Sequence, residues 1–188
     1  MERGILLRRG AHVLVAFTPL YYQLPDELPI VRIQKWVGLV IFFASILAFE
    51  AVRLWWGLTF LGLRPHESRN IASHAWAAAG ITVALWFFPQ DIASVGLVGM
   101  ALVDPLAGEL RGRYKQPSLT IGIPVAVYFV LSSVVLLAYG FHSLPAVVIV
   151  SVIGATTAVV AERQKIPRID DDFLMIVIPC LLMDLFMF

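Results

Sequence analysis

Long apolar runs constrain the fold of this chain more than any other feature of its sequence. Five of them occupy residues 36–58, 71–88, 92–110, 121–138 and 144–161, and each is long enough to cross about 30 Å of hydrocarbon as an α-helix. Hydrophobic residues make up 60% of the 188 residues and charged residues only 14%, whereas soluble proteins average about 45–50% and about 25%. One soluble domain cannot bury that much apolar surface, so the sequence predicts an integral membrane protein.

Two shorter apolar segments, at residues 12–24 and 173–188, extend the prediction to about seven spans. Backbone N–H and C=O groups find no water in lipid, which makes helix the expected state of an apolar segment there. The sequence therefore predicts an all-α, polytopic membrane bundle of about seven transmembrane helices. Residues 1–188 are expected to form a single integral membrane domain.

The basic residues are distributed unevenly over the predicted connections. All 14 Lys and Arg residues except Arg32 and Lys35 lie on the side that holds the N-terminus. Because basic connections stay in the cytoplasm during insertion, the N-terminus is expected to be cytoplasmic and the C-terminus external, in a plasma or inner membrane. The net charge of +1 indicates no basic surface for nucleic acid, which is not expected as a partner.

Several ionisable side chains lie within or at the ends of the predicted spans, towards their cytoplasmic ends: Glu50, His74, Asp104 and Glu162. An ionisable group inside a span costs at least about 2.5–3.5 kcal/mol, so it normally faces a partner or a wet cavity. His12 and His74 could accept a proton or orient a phosphate, or they could be hydrogen-bonded packing residues near span ends. The pattern predicts a functional site at the cytoplasmic end of the bundle.

Two spacings within these spans suggest chemistry. Asp104, Gly108 and Arg111 fall on one helical stripe, as a divalent-cation ligand beside a phosphate-binding group would. An intrahelical charge pair on a small-residue packing face would also explain that stripe. Glu50 and Arg53 are spaced i,i+3, and they either neutralise each other or serve catalysis.

Two cytoplasmic connections carry further polar residues. The segment 111–120 holds three cations and then Ser118 just before an apolar span, which suits polyphosphate oxygens at a helix start. Topological anchoring alone would also explain these cations. After Glu162, the next connection ends in Asp170, Asp171 and Asp172. These acids indicate a metal site or a helix cap, and Asp172 as an ordinary N-cap accounts for one of them.

Motifs of soluble nucleotide-binding enzymes are absent from the sequence. It contains no G-x-x-x-x-G-K-[ST] loop, no H-E-x-x-H, no G-x-S-x-G and no dinucleotide fingerprint. Several carboxylates and cations at one membrane face nevertheless meet the minimum for phosphoryl transfer, which depends mainly on positioning and charge neutralisation.

The motifs in the first half of the chain resemble those of the membrane-bound, CTP-dependent lipid-alcohol kinases. This family comprises dolichol (polyprenol) kinase, phytol kinase and the CTP-dependent diacylglycerol kinases. The segment RRGAH from Arg8 resembles the family's opening R-K-x-x-H. Glu50 and Arg53 stand where the family has a Glu and an Arg at the end of its next span.

The resemblance continues to the C-terminal end. The segment DPLA from Asp104, followed by RGR from Arg111, resembles the signature G-D-x-x-A-x-x-x-G-[KR]. The segment from Lys115 through Ser118-Leu119 resembles the K-S-L-E-G stretch after it, and Glu162 resembles the closing Glu. The segment DDDFL at residues 170–174 resembles the closing D-D-N-F/L.

The resemblance implies that the chain transfers the γ-phosphate of CTP, with Mg²⁺, to the hydroxyl of a membrane isoprenoid or glycerolipid alcohol. The bilayer would deliver this lipid laterally to an active site facing the cytoplasm. The implied nucleotide-binding residues are Arg8, Arg9, Arg53, Arg111, Gly112, Lys115, Ser118 and Glu162. The implied metal ligands are Asp104, Asp171 and Asp172. The implied catalytic residues are Asp104 together with Glu50 and His12, either of which could take the alcohol proton.

Other functions use similar parts. A cytidylyltransferase that makes a CDP-lipid is the main alternative, although the sequence lacks an S-x-x-x…K-R-x-x-x-K-D block near its C-terminus. A CDP-alcohol phosphotransferase needs D-G-x-x-A-R and two further spaced aspartates, which do not follow Asp104 here. A small non-enzymatic transporter with internally neutralised charges is the third possibility. The sequence leaves the oligomeric state and the acceptor alcohol open.

Overall fold

The computed structural model describes residues 2–60, 62–140, 143–164, 166 and 169–187, and the side chains of 2–8, 65 and 66 lie outside this description. Within these ranges the chain forms seven α-helices, and the prediction of an all-α fold is confirmed. The helices are α1 (Glu2–Val15), α2 (Lys35–Trp56), α3 (Ser73–Phe87), α4 (Gln90–Arg113), α5 (Ile123–Ala138), α6 (Leu144–Arg163) and α7 (Asp171–Leu185). A short antiparallel hairpin, β1 (Glu27–Leu28) and β2 (Ile33–Gln34), precedes α2.

Four helical segments in the described part of the chain are long and apolar enough to cross a membrane. They are α2, α4, α6 and the segment Ser118–Ala138, in which a π-helical turn (Ser118–Gly122) leads into α5. All four coincide with apolar runs that the sequence marks as spans. The other two predicted spans beyond residue 70 form α3 and α7, each 15 residues long. At 1.5 Å per residue each helix is about 22 Å long, shorter than the hydrocarbon core.

The prediction of one helix over 12–24 is wrong. Helix α1 ends at Val15, and a separate 3-10 helix (Thr18–Gln23) follows it. Pro19 explains the break, because a proline has no N–H to donate to the carbonyl four residues earlier, that of Val15, and its ring clashes with that carbonyl. The hydroxyl of Thr18 donates to the Val15 carbonyl at 2.7 Å and closes the turn.

Helices α4 and α7 form the centre of the bundle. Helix α4 packs against α1, α5 and α7, and α7 also packs against α3 and α6, whereas α2 lies along α3 at the edge. Small residues allow these close approaches: a Cβ atom at Gly96 would overlap the Cys180 thiol of α7, and one at Gly99 would overlap the Tyr128 ring of α5. This packing brings parts of α1, α4, α6 and α7 together at one end of the bundle.

Candidate active site

Carboxylates from three helices converge at one end of the bundle, beside a histidine of α1. His12 of α1, Asp104 of α4 and Asp172 of α7 offer ligand atoms that all lie within 4.8 Å of one another. Asp104 belongs to a second group of the same size, with Glu162 of α6 and Asp171 of α7. The term acidic cluster denotes the five carboxylates Asp104, Glu162, Asp170, Asp171 and Asp172. The structure therefore brings together residues that the sequence separates by up to 160 positions.

The start of α7 contributes three of these carboxylates. Asp170 is the N-cap, since its side chain accepts a hydrogen bond from the backbone N–H of Asp172 at 3.2 Å. The interpretation of Asp172 as the cap is therefore wrong by two residues. Asp171 and Asp172 lie in the first turn of α7, where the positive end of the helix dipole stabilises their charge. Asp172 is buried, and its position beside His12 and Asp104 is fixed by the helix itself.

Two basic side chains contact the cluster from α1 and α4. Nε2 of His12 lies 3.3 Å from Oδ2 of Asp104, and both side chains are largely buried. Arg111, two turns further along α4, forms an ion pair with Glu162 of α6. Asp104 and Arg111 therefore share a helical face, but each has a partner from a different helix. The ion pairs described for this helix face join α4 to its neighbours, Asp104 to His12 of α1 and Arg111 to Glu162 of α6.

A third basic side chain, Arg64, reaches the cluster from the connection between α2 and α3. Its guanidinium lies 3.5 Å from a carboxylate oxygen of Asp170 and 3.7 Å from one of Asp171. Burial, together with the neighbouring Asp171 carboxyl, raises the pKa of Asp170 to about 6, despite the opposing effect of Arg64. The carboxylates of Asp170 and Asp171 thus share a single guanidinium, that of Arg64. A bound metal ion would reduce the repulsion between these two carboxylates.

The site combines carboxylates with guanidinium groups. Among the described side chains, Arg64 pairs with Asp170 and Asp171, and Arg111 pairs with Glu162. Carboxylate oxygens at this spacing are the ligands that Mg²⁺ and Ca²⁺ prefer. The cluster therefore offers oxygen ligands for a divalent cation beside guanidinium groups that suit phosphate oxygens.

A polar cavity of about 470 Å³ opens beside the cluster between α1 and α4. Its lining includes Arg9, His12, Arg64, Asp104, Arg111, Gly112 and Asp171. A second polar cavity, of about 660 Å³, adjoins the first and extends past Glu162 towards the α6–α7 connection. Arg64, Arg111 and Asp171 line both polar cavities. Cavities of a few hundred Å³ are the size that bind small molecules and cofactors.

An apolar chamber of about 340 Å³ lies on the other side of His12, among α1, α2 and α3. Aromatic and aliphatic side chains form most of its wall, including Val15, Phe42, Ile46, Phe49 and Ile81. Its polar lining consists of His12, Glu67, Ser73, His74 and Asp172. His12 lines both the apolar chamber and the polar cavity. A ligand with an apolar chain and a polar end could place that end next to the cluster.

The predicted pair Glu50 and Arg53 is buried beside α3 and lines neither the chamber nor the polar cavities. Arg53 donates two hydrogen bonds to the Glu50 carboxylate, at 2.7 and 2.8 Å, and a third to the Asn70 carbonyl at 2.6 Å. Glu50 also accepts from the backbone N–H of Ala72 at 2.7 Å. These contacts hold the start of α3 against α2. Glu50 and Arg53 thus neutralise each other, which is one of the two roles considered from the sequence. Nε2 of His74 also lies 3.3 Å from the Glu50 carboxylate.

The remaining predicted nucleotide-binding residues have different positions. Arg9 lines the polar cavity and forms an ion pair with Glu109, which also pairs with Arg113 at 2.6 Å. Lys115 and Ser118 are exposed and line none of the three cavities. The side chain of Arg8 lies outside the described residues.

Two residues of the connection between α2 and α3 belong to the site and are missed by the sequence reasoning. Arg64 lines both polar cavities, although in the sequence it counts only as one of many cytoplasmic cations. Glu67 holds this connection in place by accepting the backbone N–H groups of Arg64 at 2.5 Å and Ser73 at 2.9 Å. Burial opposes its ionisation, but these hydrogen bonds outweigh burial and lower the pKa of Glu67. The available signal is a Glu three residues after Arg64, the spacing at which a Glu accepts the backbone N–H in front of a helical turn.

No protein-family model, curated protein or solved structure matches this chain significantly. The resemblance to the lipid-alcohol kinases therefore stays a prediction. The support for a function comes from the geometry of the site.

Proposed function

We propose that this chain is a CTP-dependent kinase that phosphorylates the hydroxyl of a membrane isoprenoid alcohol of the dolichol or polyprenol type. The observation that carries the proposal is the position of His12, which lines both a polar cavity beside five carboxylates and an apolar chamber. Phosphoryl transfer to a lipid alcohol needs this juxtaposition, because the nucleotide is polar and the acceptor chain is not.

The proposed topology follows from the basic residues. The acidic cluster and its partners Arg64 and Arg111 lie at the end of the bundle that the distribution of Lys and Arg assigns to the cytoplasm. We propose that the N-terminus is cytoplasmic and that seven helical segments cross the membrane. CTP then reaches the polar cavities from the cytoplasm, and the alcohol reaches the chamber from the bilayer.

The donor set of the cluster fits a divalent cation. Asp104, Glu162 and Asp171 present carboxylate oxygens within 4.8 Å of one another, as Mg²⁺ requires of oxygen ligands. Asp172 and His12 adjoin this group through Asp104. When bound, Mg²⁺ would neutralise the negative charge that develops on the phosphate during transfer. Arg64 and Arg111 line both polar cavities and would bind the remaining phosphate oxygens.

The proposed reaction breaks the bond between the γ-phosphorus of CTP and the oxygen that links it to the β-phosphorus. A new bond forms between the γ-phosphorus and the alcohol oxygen, so the products are CDP and a lipid monophosphate. His12 accepts the hydroxyl proton at Nδ1, and Asp104, whose carboxylate lies 3.3 Å from Nε2, stabilises the resulting imidazolium. Glu50 does not reach either cavity, so it is not the base in this scheme.

We expect His12→Ala to lower kcat about a hundredfold, the usual effect of losing a general base. The KM for CTP should change little, because His12 carries no guanidinium or ammonium group for phosphate. Initial rates in nanodiscs at varied CTP concentration measure both constants. A His12→Ala protein that keeps the wild-type kcat would exclude His12 as the base.

We expect Arg111→Ala to raise the KM for CTP about tenfold, since a charge-assisted contact with phosphate contributes about 1.5–3 kcal/mol. Arg69→Ala is the control, because that side chain is exposed and lines neither polar cavity. Equal KM values for Arg111→Ala and wild type would remove Arg111 from the phosphate site.

Product analysis tests the proposal as a whole. The purified protein is incubated with CTP, Mg²⁺ and mixed lipid alcohols, and the products are identified by mass spectrometry. CDP with a lipid monophosphate supports the kinase. Pyrophosphate with a CDP-lipid shows a cytidylyltransferase instead, and the absence of nucleotide turnover favours a transporter.

A further inference from the structure

A second imidazole lies in the wall of the apolar chamber, and the proposed reaction does not use it. His74, near the start of α3, lines the chamber together with His12. Its ring lies near those of Phe49 and Phe60, with centroid distances of 6.0 and 6.1 Å. The side chain is 36% exposed, so part of this ring faces the chamber.

Glu50 fixes the orientation of this ring. Nε2 of His74 is buried, and the Glu50 carboxylate lies 3.3 Å from it, although no aligned hydrogen bond forms. Glu50 cannot move away easily, because Arg53 and the backbone N–H of Ala72 hold it. A carboxylate beside Nε2 favours the tautomer that carries its proton there. Nδ1 is then the nitrogen with a lone pair that a ligand can reach.

We propose that Nδ1 of His74 accepts a hydrogen bond from the hydroxyl of a single-chain membrane alcohol, which binds with its chain in the apolar chamber. This inference rests on the proposed function and adds a residue that binds and positions the acceptor. Because a hydroxyl without a partner is costly in apolar surroundings, His74 makes the chamber selective for chains whose terminal oxygen carries a proton. The same hydrogen bond holds the acceptor oxygen in the chamber that His12 and Asp172 also line.

A binding experiment without nucleotide tests this inference. A photoreactive C15 prenyl alcohol and its methyl ether, which cannot donate a hydrogen bond, are each added to the protein in nanodiscs. We expect wild type to capture the alcohol about five times better than the ether, the effect of about one hydrogen bond, with labelled residues in the chamber wall. His74→Ala should capture both probes equally. His74→Asn should keep part of the preference, because its amide oxygen can replace Nδ1 as the acceptor.

Ser45→Ala is the control, since it removes an exposed hydroxyl of α2 that donates to the Ile41 carbonyl of the same helix. It should keep the wild-type preference for the alcohol. The inference is overturned if wild type captures the ether as well as the alcohol, or if His74→Ala keeps the preference. The wild-type comparison alone decides this if the His74 variants do not fold.

Kinetics separate this inference from the proposed function. We expect His74→Ala to raise the KM for the alcohol about fivefold and to leave the KM for CTP unchanged. If wild type selects the alcohol probe but turns over no nucleotide, the kinase proposal fails and the His74 site stands. If CTP is consumed and a lipid monophosphate forms without any selection of the alcohol over the ether, the His74 site fails and the kinase stands.

Discussion

Asp104→Asn is expected to reduce CTP-dependent phosphorylation about a thousandfold or more while the bundle stays folded. Asp104 belongs to two of the three groups of candidate ligands in the cluster, including the group proposed to hold Mg²⁺, so its loss removes a ligand from that site. Cation stabilisation of a phosphoryl transition state contributes several kcal/mol, and about 4 kcal/mol corresponds to a thousandfold. Asn has nearly the same shape, which limits the structural effect. Initial rates and size-exclusion profiles in detergent measure activity and folding.

Asp91→Asn is the matched control for this experiment. Asp91 lies in the first turn of the same helix, at the opposite end from the cluster, and its removal should leave the rate within about twofold of wild type. An Asp104→Asn protein with more than a tenth of the wild-type rate would contradict a direct role for Asp104 in the reaction.

Arg53→Ala is expected to destabilise the protein by about 3–5 kcal/mol, the usual cost of removing one partner of a buried ion pair. Arg53 is fully buried and donates to both Glu50 oxygens and to the Asn70 carbonyl. Without Arg53, the buried carboxylate of Glu50 has no guanidinium to balance its negative charge. Thermal unfolding in detergent, followed by loss of the monodisperse peak, should show a clear fall in Tm.

Arg69→Ala is the control, because Arg69 lies in the same connection but is exposed. Its Tm should match that of wild type. The double variant Glu50→Gln with Arg53→Met should regain part of the lost stability, since neither a buried carboxylate nor its counter-charge remains, and Gln still accepts from Ala72. A wild-type Tm for Arg53→Ala would contradict the structural role assigned to this pair.

The fold could largely be predicted from the sequence because the lengths of apolar runs determine helices in a membrane. The runs over 36–58, 92–110, 121–138 and 144–161 correspond to the four spanning segments. The prediction over 12–24 failed because hydropathy does not register the break that Pro19 introduces after Val15. Helix α7 begins at Asp171, two residues before the apolar run, because Asp170 caps it, and hydropathy also ignores such a cap.

The site could be predicted only in part. A carboxylate such as Asp104 stands out in the sequence because placing it within a membrane span costs free energy. The structure places Asp104 beside Glu162 and the acids at the start of α7. Arg64 could not be distinguished from other cytoplasmic cations, because its role depends on how the α2–α3 connection folds over the cluster. From the sequence, Glu50 was a candidate catalytic base. In the structure its carboxylate accepts from Arg53 of α2 and from the backbone N–H of Ala72, so it holds α2 and α3 together.

The central claim is that the acidic cluster holds a divalent cation bound to a triphosphate. Electron-nuclear double resonance with Mn²⁺ in place of Mg²⁺ tests it most directly, using the protein in nanodiscs with and without CTP. The account predicts a ³¹P coupling from protein-bound Mn²⁺ that requires CTP and disappears in Asp104→Asn but not in Asp91→Asn. Absence of protein-bound Mn²⁺ in the presence of CTP, or an identical ³¹P coupling in Asp104→Asn, would contradict it.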